Sequence, residues 1–218
     1  MSRRAAREQM QVKEHPLLFS NAMVRAILEG RKTQTRRVIK IPSFMQYLPF
    51  VPQGAEYAPR KIHMTFERGA LRRYWLSGAC WNDEVVATPK YASGDRLWVR
   101  EAWAQVSKVG GGLRYAYKAD NGDNAMVARW CPSIHMPREA SRITLEVTEV
   151  RVERLQDMDV ASCVKEGVSW DGYPGAWTVM AKPSFAKLWD SLYAKRGLGW
   201  DANPWVFAYT FKVLEVRK

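Results

Sequence analysis

Cysteine and histidine are scarce in this chain, with three of each among 218 residues. The cysteines, Cys80, Cys131 and Cys163, are odd in number and irregularly spaced, which argues against a disulfide framework and fits a reducing cytoplasm. No Cys-x-x-Cys pair and no His-Glu-x-x-His string occurs, so the usual zinc-binding spacings are missing. Cys131 and His135 are four residues apart, but a single pair does not make a zinc site. We therefore expect neither a metal nor another cofactor.

Long hydrophobic runs are also absent. No stretch of about 18 apolar residues exists, so the sequence predicts no membrane-spanning helix. The first residues are charged and lack the apolar segment of a signal peptide. The glycine-rich strings of dinucleotide-binding and P-loop proteins do not occur, which excludes the usual phosphate-binding loops. We expect a cytoplasmic protein that does not contact a membrane.

Hydrophobic and basic residues, by contrast, are plentiful. Hydrophobic residues make up 47% of the chain and ten residues are tryptophan, enough to fill a real core. The formal net charge is +12. Residues 1–40 hold ten Lys or Arg against three Glu, which is seven of those twelve charges. This concentration favours a polyanionic partner, nucleic acid first, although a solubilising surface is the alternative.

The order of strand and helix patterns predicts an α+β fold with a small mixed or antiparallel β-barrel and a few short helices. Residues 1–14 form an expected flexible basic tail, and 15–218 form one domain with long insertions near 41–93 and 104–142. Helices are expected at 22–29, at 160–166 and from Pro183 onward. Strands are expected at 16–19, 35–39, 62–66, 71–76, 96–103, 113–118, 142–154 and 205–214.

The most informative string is Gly-Arg-Lys-Thr-Gln-Thr-Arg-Arg, from Gly30 to Arg37. It places one lysine, two hydroxyls and three arginines directly after a short helix that Gly30 can end. Such a compact basic loop suits a nucleotide or another anion, and a solvated basic face is the alternative.

Four residues of this string, Gly30, Lys32, Thr35 and Arg37, match the signature Gly-x-Lys-x-x-(Glu/Thr)-x-Arg. On this match the chain resembles the ASCH domain family. The Gly94-Asp95 turn, the strand from Ile143, the segment from Asp157 to Gly167 and the strand 205–214 follow in the order of that family. The chain is most similar to phage and prophage proteins of the family, which carry strings such as Ser-Ile-His-Met-Pro-Arg, here 133–138. The resemblance implies a PUA-like barrel in the cytoplasm of a bacterial host cell, with RNA or a modified nucleoside as its partner.

One branch of the family is an amidohydrolase that removes the acetyl group from N4-acetylcytidine with a Lys, a Thr and a Glu. The resemblance assigns these catalytic roles to Lys32, Thr35 and Glu166. Thr35 would be the nucleophile or would position water. Lys32 would be the base if burial depresses its pKa. Glu166 would activate water or protonate the leaving amine. A surface lysine and an ordinary strand threonine are the alternatives at the first two positions.

Five further residues are candidates for binding a nucleotide or RNA. Three arginines flank the signature and two residues lie in the 133–138 string: Arg31, Arg36, Arg37, His135 and Arg138. Tryptophans such as Trp98 could stack on a base, although core packing is the alternative for most of them.

Three functions remain open at this point. The first is hydrolysis of an N4-acetylcytidine-like nucleoside. The second is an RNA-binding PUA-like module, and the third is a ribonuclease acting on single-stranded RNA. A purely structural or interaction role is the fallback.

Overall fold

The computed structural model describes residues 12–39, 61–66, 72–77, 84–107, 113–121, 127–168 and 177–217. Most of the expected basic tail, residues 1–11, lies outside these ranges. The strands are β1 (Glu14–Leu18), β2 (Gln34–Val38), β3 (Lys61–Phe66), β4 (Arg72–Ser77), β5 (Glu84–Ala87), β6 (Arg96–Arg100), β7 (Trp103–Ser107), β8 (Leu113–Tyr117), β9 (Ile143–Arg154) and β10 (Trp205–Val216). The α-helices are α1 (Asn21–Leu28), α2 (Lys118–Asn121), α3 (Val160–Lys165) and α4 (Trp177–Tyr193).

A five-stranded mixed sheet organises the molecule, in the order β1-β6-β9-β10-β2. β1 runs parallel to β6, and the other neighbours are antiparallel. β9 and β10 are 12 residues long and pair along most of their length, with register shifts at Thr210/Phe211 and Val213/Glu215. Such irregularities bend a strand and increase its twist.

The sheet curls around its core. Phe19 lies just after β1, at one edge of the sheet. The centroid of its ring is 5.4 Å from Lys32 Nζ, which lies just before the opposite edge strand β2, and 6.0 Å from the guanidinium of Arg37, which lies within β2. Tyr91 also links the two sides of the curled sheet. Its hydroxyl donates to the Pro16 carbonyl of β1, and its ring contacts the ring of Tyr209 in β10. Along the described strands, the hydrogen-bonded ladder does not close between β1 and β2. The α+β class is confirmed, with an open, curled sheet in these residues.

Two hydrophobic cores lie on the two faces of this sheet, as the alternation of side chains along a strand requires. The inner core holds Leu97, Val99 and Tyr209 among many others. The outer core joins Val206 of β10 to Phe185 and other residues beneath α3 and α4. The sheet therefore has little solvent on either face near β2, and polar groups there must be paired.

Two smaller sheets carry the remaining strands. β3-β4-β5 is antiparallel, so the hairpin expected near 62–66 and 71–76 gains a third strand. β7 and β8 pair with each other. The single strand expected over 96–103 was wrong, because the chain leaves the main sheet at Glu101. That carboxylate is buried against Arg142, and Trp103 pairs with Cys131 instead.

Capping side chains mark the starts of α1 and α3, and glycines follow their ends. The Ser20 hydroxyl accepts from the Met23 amide at the start of α1, and Asp159 accepts from Ser162 N, 2.7 Å away, at the start of α3. Gly30 and Gly167 follow these two helices with φ of +74° and +80°, the left-handed conformation that glycine adopts without strain.

The helix expected to begin near Pro183 was wrong in its start, since α4 begins six residues earlier, at Trp177. Proline cannot donate to the carbonyl four residues before it, here that of Val179, whose side chain is 72% exposed. Ala181 packs into the outer core and extends the helix upstream. Along the described chain, no helix is both long and apolar enough to cross a membrane.

Candidate active site

The side chain of Lys32 points into the protein interior from the loop between α1 and β2. Its amide donates to the Ala26 carbonyl (2.9 Å), and the next amide, of Thr33, donates to the Lys165 carbonyl of α3 (2.8 Å). The loop is thereby held against the end of α3. A Cβ on Gly167 would lie 2.8 Å from Lys32 Cβ and 2.9 Å from Ala26 Cβ. The glycine thus permits the close approach that buries the lysine.

The Lys32 ammonium is enclosed by oxygen atoms. Its Nζ donates to the Gln34 carbonyl (2.8 Å), to the Glu166 carbonyl (2.7 Å) and to Glu166 Oε2 (2.9 Å). An ammonium has three N–H donors, so all of them are used. The residue is 1% exposed. The structure therefore brings together two of the three predicted catalytic residues, Lys32 and Glu166.

Glu166 is held by two cations. Its Oε2 accepts from Lys32, and its Oε1 accepts from Arg36 (3.0 Å). Arg36 also binds Glu153 of β9, with Nε and Nη2 at 2.8 and 2.6 Å from the same carboxylate oxygen. The four side chains Lys32, Glu166, Arg36 and Glu153, which we call the buried ion network, join the end of α3 to β2 and β9.

The electrostatics of this network centre on Lys32. Burial lowers the pKa of the Lys32 ammonium, Glu166 opposes that shift, and the nearby Arg37 and Arg36 add to it. A lysine with a lowered pKa gives up its proton more readily, which is the property that a general base requires.

Thr35 lies on the other face of β2 from Arg36. It is 1% exposed, and its hydroxyl accepts from Arg37 Nη1 (2.8 Å). Its hydroxyl makes no hydrogen bond with Lys32 or Glu166 in the described contacts. The Phe19 ring nevertheless lies beside both the Lys32 ammonium and the Arg37 guanidinium. The hydroxyl and the buried ion network are therefore neighbours around one aromatic ring, but they are not in direct contact.

The flanking arginines differ in their surroundings. Arg31 is exposed, and its guanidinium pairs with Glu29 and approaches the Gly167 carbonyl at 3.5 Å. Arg36 is buried between two carboxylates. Arg37 is half-buried and bonds to Thr35 and to the Arg36 carbonyl. Arg31 and Arg37 are thus better placed to meet a ligand than Arg36 is.

His135 and Arg138 lie elsewhere. Arg138 donates to Glu14 at the start of β1 (3.0 Å), whereas Lys32 lies against Phe19, just beyond the end of β1. At roughly 3.3 Å per strand residue, about 16 Å of β1 separates the two places. His135 is exposed on the 3₁₀ turn Ser133–His135. The structure does not bring either residue to the buried ion network.

Sequence reasoning missed Glu153 and Phe19 as parts of this site. Glu153 follows the alternation of β9, but nothing in the sequence reveals that β9 lies two strands from β2 with β10 between them. Phe19 is one letter in a short apolar run, and only the curl of the sheet places it beside Lys32.

The described residues include possible metal ligands and a buried thiol. No group of three or more His, Cys, Asp or Glu there is arranged to hold a metal ion. Cys163 is buried, and burial raises the pKa of its thiol to about 11. At neutral pH that thiol is protonated and is a poor nucleophile.

Comparison with known proteins gives one structural similarity. The chain matches no protein-family model and no curated protein. It is similar to the crystal structure of protein EF3133 from Enterococcus faecalis V583, a protein of the DUF984 family, with 9% identity and a TM-score of 0.39. The match covers 95% of this chain and 84% of that one.

Proposed function

We propose that this protein is a hydrolase of the ASCH type, with a PUA-like fold, that removes the acyl group from N4-acetylcytidine-like nucleosides. One observation carries the proposal: Lys32 Nζ lies 2.9 Å from Glu166 Oε2 in a buried position, although 134 residues separate the two. The resemblance assigned these same two residues a shared site. The curl of the five-stranded sheet, which brings Phe19 after β1 to Lys32 beside β2, supports the PUA-like barrel.

The contacts suggest a role for each residue. Arg37 donates to the Thr35 hydroxyl, so the hydroxyl proton is free to leave, and the guanidinium stabilises negative charge that develops on the oxygen. Burial favours the neutral amine of Lys32, and because Thr35 makes no hydrogen bond with Lys32 in the described contacts, that proton would reach the amine through an intervening water. Glu166, whose carboxylate contacts both Lys32 and Arg36, would activate water or protonate the leaving amine.

The reaction is amide hydrolysis. The Thr35 oxygen, or a water that it positions, attacks the acyl carbon while its proton passes to the base. The bond from that carbon to the exocyclic nitrogen then breaks, and the nitrogen takes a proton back and leaves as the free amine. Where the Thr35 oxygen attacks, water then attacks the resulting acyl-threonine ester, the bond from the acyl carbon to the Thr35 oxygen breaks, and that oxygen takes a proton back. In either case water supplies the second oxygen of the released carboxylate, so N4-acetylcytidine gives acetate and cytidine.

Conversion of N4-acetylcytidine to cytidine, followed by chromatography, tests this proposal. Lys32→Met should lower kcat by about 10² to 10⁴, the usual contribution of general acid–base catalysis. Lys187→Met, which removes an exposed lysine of α4, is the matched control and should turn over normally. Absence of turnover by the wild-type protein, or equal rates for both variants, would contradict the proposal.

A binding-only role is the second candidate. The observation in its favour is that all three donors of the Lys32 ammonium are already used within the protein. Lys32 would then be structural, and the net charge of +12 would serve RNA binding. Incubation with labelled single-stranded RNA separates the options: a stable complex with intact RNA supports the module, and cleavage that Lys32→Met abolishes supports a ribonuclease.

A further inference from the structure

A second basic surface lies away from the buried ion network. Along β6, Leu97 and Val99 point into the inner core, so Arg96, Trp98 and Arg100 point to the opposite face of the sheet. Arg138, in the 3₁₀ turn Arg138–Ala140, crosses over this face. We call these four residues, Arg96, Trp98, Arg100 and Arg138, the β6 outer face.

Two guanidinium groups of this face gather on one indole. The Arg100 and Arg138 guanidinium carbons lie 5.4 and 5.9 Å from the centroid of the Trp98 ring. Cation–π attraction of this kind holds an arginine in place without neutralising its charge. Trp98 therefore positions two like charges next to each other.

Carboxylates do not balance these charges. Arg138 pairs with Glu14, and Arg100 donates to the carbonyl of Ile134 rather than to an acid. The carboxylate opposite Arg96 in the β9 register, Glu146, pairs with a lysine of β10. Among the described residues, three cations thus share one paired acid.

Unused hydrogen-bonding atoms converge at the same place. Arg100 Nε, Arg138 Nη1 and Thr144 Oγ1 are buried and have no hydrogen-bond partner. Thr144 is the β9 residue directly opposite Trp98 and is 5% exposed. A buried donor without a partner costs about 1–3 kcal/mol, so three beside one tryptophan indicate a place for an oxygen-rich anion.

We propose that the β6 outer face binds the phosphate backbone of single-stranded nucleic acid. The forked donors of arginine match phosphate oxygens. Arg96 and Arg100 are four residues apart, about 13 Å along a strand, a span that suits two separate phosphates of a polymer better than one small anion. A basic stripe interrupted by an aromatic residue is typical of single-strand binders. The β6 outer face shares no residue with the buried ion network, so the inference does not rest on the proposed hydrolysis. Arg138 contacts Glu14 at the start of β1, whereas the Arg100 carbonyl accepts from the Phe19 amide beyond the end of β1.

Fluorescence anisotropy of a labelled 12-nucleotide poly-U strand, titrated at several salt concentrations, tests this site. Each lost phosphate contact should reduce the slope of log K against log salt by about 0.7. Arg100→Gln with Arg138→Gln should therefore reduce the slope by about 1.4 and weaken binding roughly 25-fold at 0.1 M salt. The matched control, Lys187→Gln with Arg196→Gln, removes two exposed charges elsewhere and should bind like the wild type.

A second double variant tests the proposal if the glutamine double variant does not fold. Arg100→Lys with Arg138→Lys keeps both charges, so the salt slope should stay near the wild-type value while the affinity falls. The proposal is overturned if the control weakens binding as much as the Gln variant, or if the Gln variant leaves affinity and slope unchanged. Tighter binding of a duplex of the same length would equally overturn the assignment to single strands.

Discussion

Lys32 and Glu166 form a buried ion pair with a structural role that is separate from the catalytic role we propose. Each removes a charge from water and compensates it through the other, with Arg36 completing the balance. Removing one partner of such a pair is strongly destabilising, because it leaves an uncompensated buried charge. Effects on stability must therefore be measured beside any effect on turnover.

A double-mutant cycle makes that measurement. Glu166→Gln should lower the free energy of unfolding by about 3 kcal/mol, and Lys32→Met by a similar amount. The double variant should cost less than the sum, because neither charge is then left alone. Urea unfolding of the four proteins at pH 7 gives the coupling, and strictly additive losses would show that the two residues do not interact.

The buried thiol of Cys163, in the outer core, makes the free energy of unfolding depend on pH. Burial raises its pKa from 9.0 to about 11 in the folded protein. The folded state thus retains a proton that the unfolded state releases, so stability is fully present below pH 9 and is lost as pH rises toward 11.

Comparison with Cys163→Ala isolates this contribution. Between pH 9 and 11 the wild-type free energy of unfolding should fall more steeply than that of the variant, by at most about 1.4 kcal/mol per pH unit. Tyr209, whose pKa burial raises to about 12, contributes equally to both proteins and cancels. Parallel curves would mean that the thiol is not protected.

At the scale of elements, Gly167 joins α3 to the site. Two features require glycine at this position: its φ is +80°, and a Cβ there would collide with the Lys32 side chain. Gly197 has only the first feature, with a φ of +70° and no atom within 4 Å of the position that a Cβ would take. The pair therefore separates backbone strain from crowding.

We expect Gly197→Ala to cost about 1–2 kcal/mol, the strain of a left-handed alanine. Gly167→Ala should cost about 1–3 kcal/mol more, because Lys32 and Ala26 must move. Denaturant unfolding measures both. Equal losses for the two variants would show that the loop holding Lys32 yields without resistance.

Local signals in the sequence predicted several elements well. α1 begins just after Ser20 and ends before Gly30, α3 begins just after its cap Asp159, and β9 shows the alternation of a strand with one face in a core. Each of these signals depends on residues only a few positions apart. Pro183 misled because the helix continues upstream through Ala181, which packs into the outer core, despite the local preference of proline for the first turn.

Non-local features could not be predicted from local patterns. Lys32 and Glu166 entered through a resemblance, and their contact is observed, whereas Glu153 was missed because strand order decides its neighbours. The separation of Arg138 from Lys32 likewise depends on which end of β1 each one meets. Periodicity identifies a strand and its faces, but it does not give the strand's partners.

At the scale of the whole molecule, the two surfaces for which we propose functions lie on one curled sheet. The buried ion network lies at the β2 edge. The β6 outer face runs beside β1 at the other edge, from Arg96 opposite Glu14 to Arg100 opposite Leu18. A strand of RNA held at the second surface and a nucleoside processed at the first would be compatible only if the polymer passes around the sheet. Measurements on free nucleosides and on oligonucleotides are therefore both needed.

The pairing of β2 with β10 has a consequence for synthesis. Gln34 meets Thr210 across 176 residues, and the buried ion network needs β2 to be fixed against that late strand. During translation the signature loop emerges early and waits without its partner while most of the chain is made. Contacts so distant in sequence are slow to form. The buried ion network is thus among the last parts of the protein to mature, and a nascent chain paused before Trp205 would carry the signature without the site.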